Sequence, residues 1–135
     1  TSREELIHAM AGMKLVNVIR EEHPELFDEE LTERIRSECI EAYEAEAKIV
    51  DWSINGYQSE NLTSDILKNF IKNRLNDSLI QIGIKPVFED IDKDMLNKTV
   101  WFDEDVLGNT ATDFFSKRPT EYSKNDKSYG EEDLF

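Results

Sequence analysis

Residues 3–8 read Arg3-Glu4-Glu5-Leu6-Ile7-His8 and open an apolar run that continues to Ile19. Residues three apart lie on one face of a helix, so Glu5 and His8 would present a carboxylate and an imidazole side by side. Two-metal sites in helix bundles use such Glu-x-x-His pairs on two helices, with carboxylates from two more. Carboxylate and imidazole ligands suit iron or manganese. The stretch therefore predicts an all-α fold with one edge of a di-metal site.

A Glu-x-x-His sequence taken alone is often not a metal site but a salt-bridged or solvated pair on a helix surface. The neighbouring residues favour the metal interpretation. Apolar residues fall on nearly every side of the helix between Leu6 and Ile19, which predicts a segment that is buried all round. A Glu and a His in such a segment need partners, and a metal ion satisfies both.

Length and composition predict one domain, because the chain has 135 residues with no repeat. With 39% hydrophobic and 34% charged residues it is expected to be water-soluble. The net charge of −14 and the lack of a basic stripe argue against binding to nucleic acid or an anionic membrane. Lys14 and Asn17 interrupt the apolar run, so no membrane span or signal is predicted. The single cysteine, Cys39, cannot form an internal disulfide, and we expect a cytoplasmic location.

Three helices are predicted from caps and apolar spacing. The first should end near Arg20-Glu21-Glu22, before Pro24. The second should begin at the N-cap Asp28 and run to about Tyr57, and the third should follow Thr63 or Ser64 and end at Gly83. Apolar residues at helical spacing form the expected core stripes, which are Leu31, Ile35, Cys39, Ala42 or Tyr43, Ile49 and Trp52 on the second helix, and Ile66, Leu67, Phe70, Ile71, Leu75, Leu79 and Ile82 on the third.

The acidic residues of the second helix are expected to form a solvated face rather than further ligands; they are Glu33, Glu38, Glu41, Glu44 and Glu46. Residues 85–107 are predicted to be irregular, with Phe88, Trp101 and Phe102 covering the end of a bundle. Residues 108–135 are mostly polar and are predicted to be a flexible tail that a partner orders. This gives two regions, helices in 1–107 and a tail in 108–135.

The chain resembles the C-terminal part of the small, radical-generating subunit of class I ribonucleotide reductase. Residues 3–8, with Gly12 four residues on, resemble the Arg-Asp-Glu-x-x-His…Gly segment of that family. Glu38-Cys39 followed by Asp51-Trp52 looks like a later helix. Residues 114–124 (Phe-Phe-Ser-Lys-Arg-Pro-Thr-Glu-Tyr-Ser-Lys) are similar to the family segment Phe-Phe-x-Lys-Arg-x-x-Glu-Tyr-x-Lys, and the acidic end at Leu134 and Phe135 is similar to its docking tail.

The resemblance implies a fold and roles for particular residues. The fold would be the C-terminal portion of a ferritin-like helical bundle. Glu5 and His8 would bind one metal of a diiron centre, or its manganese equivalent. Arg3 and Glu4 would hydrogen-bond around these ligands, and Glu4 would lie on the path between the metal site and the subunit surface. The family has Asp where this chain has Glu4.

Further implied roles lie in the tail. Tyr122 would relay the radical to the large subunit, while Leu134 and Phe135 would dock on that subunit. The implied activity is reduction of ribonucleotides to deoxyribonucleotides by an assembled small-subunit dimer with the large subunit.

The other metal ligands of the family have no counterpart in this chain. In a chain of three helices, the other two cannot surround the first on all sides. We therefore expect the missing ligands to come from an N-terminal fragment, with this chain as one product of a split small-subunit gene. A protein-splicing remnant beginning at Thr1, or a trimmed chain, would have the same sequence.

Two alternative functions stay open. One is a different helical di-metal oxidase, and the other is a non-catalytic interaction module that binds the large subunit through its tail.

Overall fold

The computed structural model describes residues 2–104 and is all-α over that range. Its elements, in chain order, are α1 (Ser2–Glu22), a 3₁₀ turn (Pro24–Leu26), α2 (Glu29–Ile54), α3 (Ser64–Gln81), α4 (Lys93–Asn97) and α5 (Val100–Phe102). The predicted all-α class is confirmed for these residues. The predicted tail, residues 108–135, lies outside the described residues.

Side-chain caps fix where the helices begin. The Asp28 carboxylate accepts a hydrogen bond from the backbone N–H of Leu31 at 2.8 Å and starts α2. The Thr63 hydroxyl accepts one from Ile66 at 3.2 Å and starts α3. Both caps satisfy N–H groups that have no partner within the helix. The predicted starts of α2 and α3 are therefore confirmed, with Thr63 rather than Ser64 as the cap.

The end of α3 is a tight reversal at Gly83, whose φ is +74°. Its N–H donates to the carbonyl of Ile80 at 2.9 Å, and the next N–H, of Ile84, donates to Leu79 at 2.8 Å. This is the Schellman pattern, which needs a left-handed residue that glycine adopts at no steric cost. Leu79 and Ile84, at the positions where the motif commonly has an apolar contact, are both buried.

Helices α2 and α3 form the main packed pair, and an aromatic contact extends it to the following segment. The ring of Tyr43 on α2 lies 5.0 Å from that of Phe88. The Lys72 ammonium sits over both rings, 5.2 Å from the Tyr43 centroid and 5.9 Å from that of Phe88, and forms an ion pair with Asp90. The cation–π contacts and the ion pair therefore fasten residues 88–90 to the helix pair.

Two buried asparagines on α3 hold the segment 85–92 against the helix. Asn76 accepts hydrogen bonds from the N–H groups of Val87 and Phe88, each at 3.1 Å, and donates to the Phe88 carbonyl at 2.8 Å. Asn69 accepts from the Asp92 N–H at 2.8 Å and donates to the Asp92 carbonyl at 2.9 Å. The two side chains are seven residues apart and so lie on one face. They provide partners for the backbone N–H groups of Val87, Phe88 and Asp92, which would otherwise lack one.

Helix α1 is attached to the other helices through polar contacts in its C-terminal half. The Asn17 amide donates to the Gln81 carbonyl at 2.8 Å, and the Arg20 guanidinium donates to the carbonyl of Ile82. The same guanidinium lies against Gly83, where a Cβ would collide with it. The end of α3 thus serves as the anchor for α1.

Several details differ from the sequence-based expectations. Met10, 5% exposed, is the one residue that is buried among the described side chains of α1, so the prediction of a helix buried all round is wrong for this chain. The reason is that the other described helices cover one side of it. Helix α2 ends at Ile54 rather than near Tyr57, because Asn55 and Gly56 (φ +81°) form a turn there.

The third difference concerns residues 85–107, which are not irregular throughout. Asp92 accepts a hydrogen bond from Met95 at 2.9 Å and caps the five-residue helix α4. Phe102 of α5 contacts Phe70 of α3 with ring centroids 5.3 Å apart. Phe102 therefore packs on α3, Trp101 contacts Phe102, and Phe88 contacts Tyr43 of α2. The five acidic residues of α2 that were predicted to be solvated are all exposed.

Two residues predicted for the core of α2 are exposed instead. Ile49 and Trp52 lie on the side of α2 turned away from α3, and Trp52 is 80% exposed. Val50 and Ile54, which are buried and lie four positions apart, define the opposite side of α2, and this side packs on α3. Within residues 2–104, none of the helices is both long and apolar enough to cross a membrane.

Replacing Asn76 by Ala is expected to lower the free energy of unfolding by about 1–3 kcal/mol, because two buried N–H groups lose their acceptor. Asn73→Ala is the matched control. It changes the same residue type on the same helix but removes an exposed hydrogen bond to Asp77. The gain in helix propensity is equal in the two variants, so urea unfolding of both isolates the buried contact. Equal stabilities would contradict the assigned role of Asn76.

Replacing Gly83 by Ala is expected to destabilise the chain more than Gly56→Ala does. Both glycines have positive φ, so each substitution carries a backbone cost of about 1–2 kcal/mol. A Cβ at Gly56 meets open space, whereas one at Gly83 meets the Arg20 guanidinium. Thermal unfolding of the two variants should therefore separate them, and adding Arg20→Ala to Gly83→Ala should recover part of the difference.

Candidate metal-ligand face of helix α1

Glu5 and His8 occupy the first two turns of α1 and point to a common side. The His8 Nδ1 and Glu5 Oε2 atoms are 3.9 Å apart, and the side chains are 73% and 80% exposed respectively. The i, i+3 spacing on a regular helix is sufficient to place them together. The sequence prediction that the two side chains are neighbours is confirmed, while their expected burial is not found in this chain.

These two residues head a regular stripe along α1. Three further residues continue it at alternating spacings of four and three residues, namely Gly12, Leu15 and Ile19. Such a three-four repeat is typical of the seam by which one helix packs on another. Leu15 is 60% exposed, which shows that the described residues do not cover this seam. We call the five residues Glu5, His8, Gly12, Leu15 and Ile19 the ligand face.

The ligand face points away from the rest of the described chain. At 100° per residue, Met10 and Asn17 lie on the opposite side of the α1 axis. Met10 is buried and Asn17 bonds to the end of α3, so that opposite side is the one attached to the other helices. The ligand face is consequently available to helices that are not among residues 2–104.

The donor pair fits one metal ion. At metal–donor distances of about 2.1 Å, two donors on the same ion are at most about 4.2 Å apart. The 3.9 Å separation lies inside that limit, so small side-chain rotations bring both atoms onto one ion. Among residues 2–104 there is no group of three or more His, Cys, Asp or Glu side chains able to hold a metal. The pair could therefore supply two ligands, and residues 2–104 place no third one beside it.

The remaining predicted site residues divide into two groups. Arg3 and Glu4 lie in the same first turn of α1 as Glu5, and Glu4 is exposed. Tyr122, Leu134 and Phe135 lie outside the described residues. The structure thus brings together Glu5 and His8, and it leaves the roles of the other five as predictions.

Comparison with known proteins identifies the family. The profile described as "Ribonucleotide reductase, small chain" matches residues 1–94, which include α1, α2 and α3. The chain belongs to the ribonucleotide reductase small chain family. The matched region contains Glu5 and His8 and ends before Tyr122 and the C-terminal residues.

Two relatives of the small chain agree with the profile. The chain is 30% identical over 118 residues to the ribonucleoside-diphosphate reductase subunit beta of Aquifex aeolicus. These residues make up 87% of this chain and 16% of that protein. The chain is 31% identical over 121 residues to the subunit of the same name from Chlamydia pneumoniae. These residues make up 89% of this chain and 33% of that protein. The chain therefore spans a third or less of the length of these relatives.

Family membership and the all-α structure together confirm the predicted fold class, a portion of a ferritin-like bundle in the ribonucleotide reductase small chain family. The feature that the residue-by-residue interpretation missed is the full length of the ligand face. Its signal was available in the spacing of Gly12, Leu15 and Ile19 after Glu5 and His8. The apolar residues on the other sides of α1 obscured that repeat.

Glu5→Gln and His8→Gln are each expected to change the free energy of unfolding of this chain by less than about 1 kcal/mol. Both side chains are mostly exposed, and their mutual contact is a surface pair at 3.9 Å. Chemical denaturation of the two variants and the unchanged chain measures this. A loss of several kcal/mol would show that the pair has a structural role within α1.

Proposed function

We propose that this chain is the C-terminal part of a class I ribonucleotide reductase small subunit and that Glu5 and His8 bind one metal of its di-metal centre. The observation that carries the proposal is the ligand face. It places a carboxylate and an imidazole 3.9 Å apart on the side of α1 that no described helix covers. The region matched by the small-chain profile contains both residues.

The proposed centre holds two iron ions, with manganese as the alternative, since carboxylate and imidazole ligands suit either metal. Bound metal would supply one-electron oxidation chemistry. The Glu5 carboxylate would bind through an oxygen, and the His8 imidazole through one ring nitrogen while the other donates to a neighbouring acceptor. Arg3 and Glu4, in the same turn, would orient these ligands and connect them to the subunit surface.

The remaining ligands are proposed to come from an N-terminal fragment of the small subunit, either a separate polypeptide or the preceding part of the same one. Two observations support this source. The described residues provide no third ligand near Glu5 and His8, and the relatives are several times longer than the chain. The completed subunit is proposed to act as a dimer.

The C-terminal residues are proposed to serve the large subunit, which would bind the ribonucleotide and reduce it to a deoxyribonucleotide. In this proposal residues 1–107 complete the bundle and residues 108–135 dock. Tyr122 would pass an electron and its phenolic proton onward between the subunits. Leu134 and Phe135 would fill an apolar pocket, and the acidic residues Glu131, Glu132 and Asp133 would steer the encounter.

The test measures the metal content and size of this chain purified together with the N-terminal portion of the small subunit. We expect about two metal ions per assembled site. Glu5→Ala and His8→Ala should each remove metal. Glu21→Ala and His23→Ala are the matched controls, because they delete the same residue types at exposed positions off the ligand face. These controls should retain the metal of the unchanged subunit.

The alternative functions give other results in the same preparation. A different helical di-metal oxidase would hold metal but would not bind the large subunit. A non-catalytic interaction module would bind the large subunit without metal in any complex. If the two portions do not assemble, the proposal that this chain completes the small-subunit bundle is wrong.

A further inference from the structure

We propose that Gly12 is the point of closest approach between α1 and a second helix, and that this helix is an apolar, ligand-bearing helix from the remainder of the small subunit. The inference rests on the proposed function, which supplies the origin of that helix. The inference goes beyond the proposed function because it names a residue that positions the two helices around Glu5 and His8.

Gly12 has no explanation within the described residues. It lies in the middle of α1, ten residues before the helix ends at Glu22, so it is not a cap. Positive φ occurs among the described residues at Gly56 and Gly83, and not at Gly12. A Cβ added at Gly12 would have nothing within 4 Å. A glycine at such a position weakens the helix relative to alanine, so the described fold alone would be better served by alanine.

The position of Gly12 on the helix suggests what it is for. It follows His8 by four residues on the ligand face, one turn beyond the proposed metal ligands. A missing side chain at a packing seam lets a neighbouring backbone come closer than the usual 8–10 Å between helix axes. Close approach at this level would bring a ligand on the second helix within reach of a metal held by Glu5 and His8.

The same face identifies the chemistry of the second helix. Beyond Gly12 the seam continues with Leu15, which is 60% exposed, and Ile19, so the matching surface must be apolar. At the other end Glu5 and His8 need further metal ligands, so the matching surface must carry a carboxylate or an imidazole there. The relatives are long enough to supply such a helix, since the chain covers 16% and 33% of their lengths.

The test is the thermal midpoint of Gly12→Ala in two preparations. In this chain alone the midpoint should rise by about 2–8 °C, because alanine favours the helix and meets open space. In the assembled small subunit it should fall by about 2–12 °C, because the added methyl overpacks the helix contact. The opposite signs are the signature of a close approach that exists only after assembly.

Two control variants separate packing from helix propensity. Lys14→Leu places an apolar side chain, larger than the methyl group added at Gly12, at an exposed position off the ligand face, and it should shift the midpoint of the assembled subunit by less than about 2 °C. Ala11→Gly, also at an exposed position, should lower the midpoint in both preparations because helix propensity alone changes.

An unchanged or higher midpoint for Gly12→Ala in the assembled subunit would overturn the proposal. A lower midpoint in the chain alone would also overturn it, since the glycine would then be needed by the described fold itself. These results are independent of metal content. An assembled subunit that binds no metal would refute the proposed function of Glu5 and His8, while opposite shifts for Gly12→Ala would still establish the close helix contact.

Discussion

The constraint on which the structure depends is that α1 has two sides to cover and the rest of the described chain covers one. Its attached side carries Met10, which is buried, and Asn17, which bonds to the end of α3. Its ligand face leaves Leu15 60% exposed. Fully burying an exposed leucine side chain is worth about 1.5–3 kcal/mol, so covering this face would add part of that amount to the stability of α1.

Side-chain hydrogen bonds to the backbone, together with an apolar core, hold the part of the structure that carries α1. Asn69 and Asn76 each lie under the segment 85–92 and satisfy its backbone groups in both directions. That segment follows the reversal at Gly83, against which Arg20 of α1 packs. One continuous set of contacts therefore joins the buried asparagines, the C-terminal end of α3 and helix α1.

Local chemistry was predictable from the sequence and long-range chemistry was not. Asp28, Thr63 and Gly83 could be assigned because a cap or a reversal depends on residues a few positions away. The pairing of Glu5 with His8 followed from helix geometry in the same way. The buried role of Asn69 depends on a partner 23 residues later, and a polar residue carries no sign of burial in a sequence. Among residues 2–104 there is no group of three or more His, Cys, Asp or Glu side chains able to hold a metal, so no pattern there could reveal further ligands.

The exposure of Glu5 and His8 follows from the same constraint on α1. Both side chains are hydrated here, at 80% and 73% exposure, so a helix that covered them without a metal would have to remove that water uncompensated. A metal ion bound as proposed would replace the lost hydrogen bonds with coordination, and the free energy of metal binding would then add to that of helix association. Apolar burial at Leu15 and Ile19 favours a partner in either case. If Glu5 and His8 bind metal as proposed, the completed bundle would be more stable with metal than without it, and assembly would be coupled to metal binding.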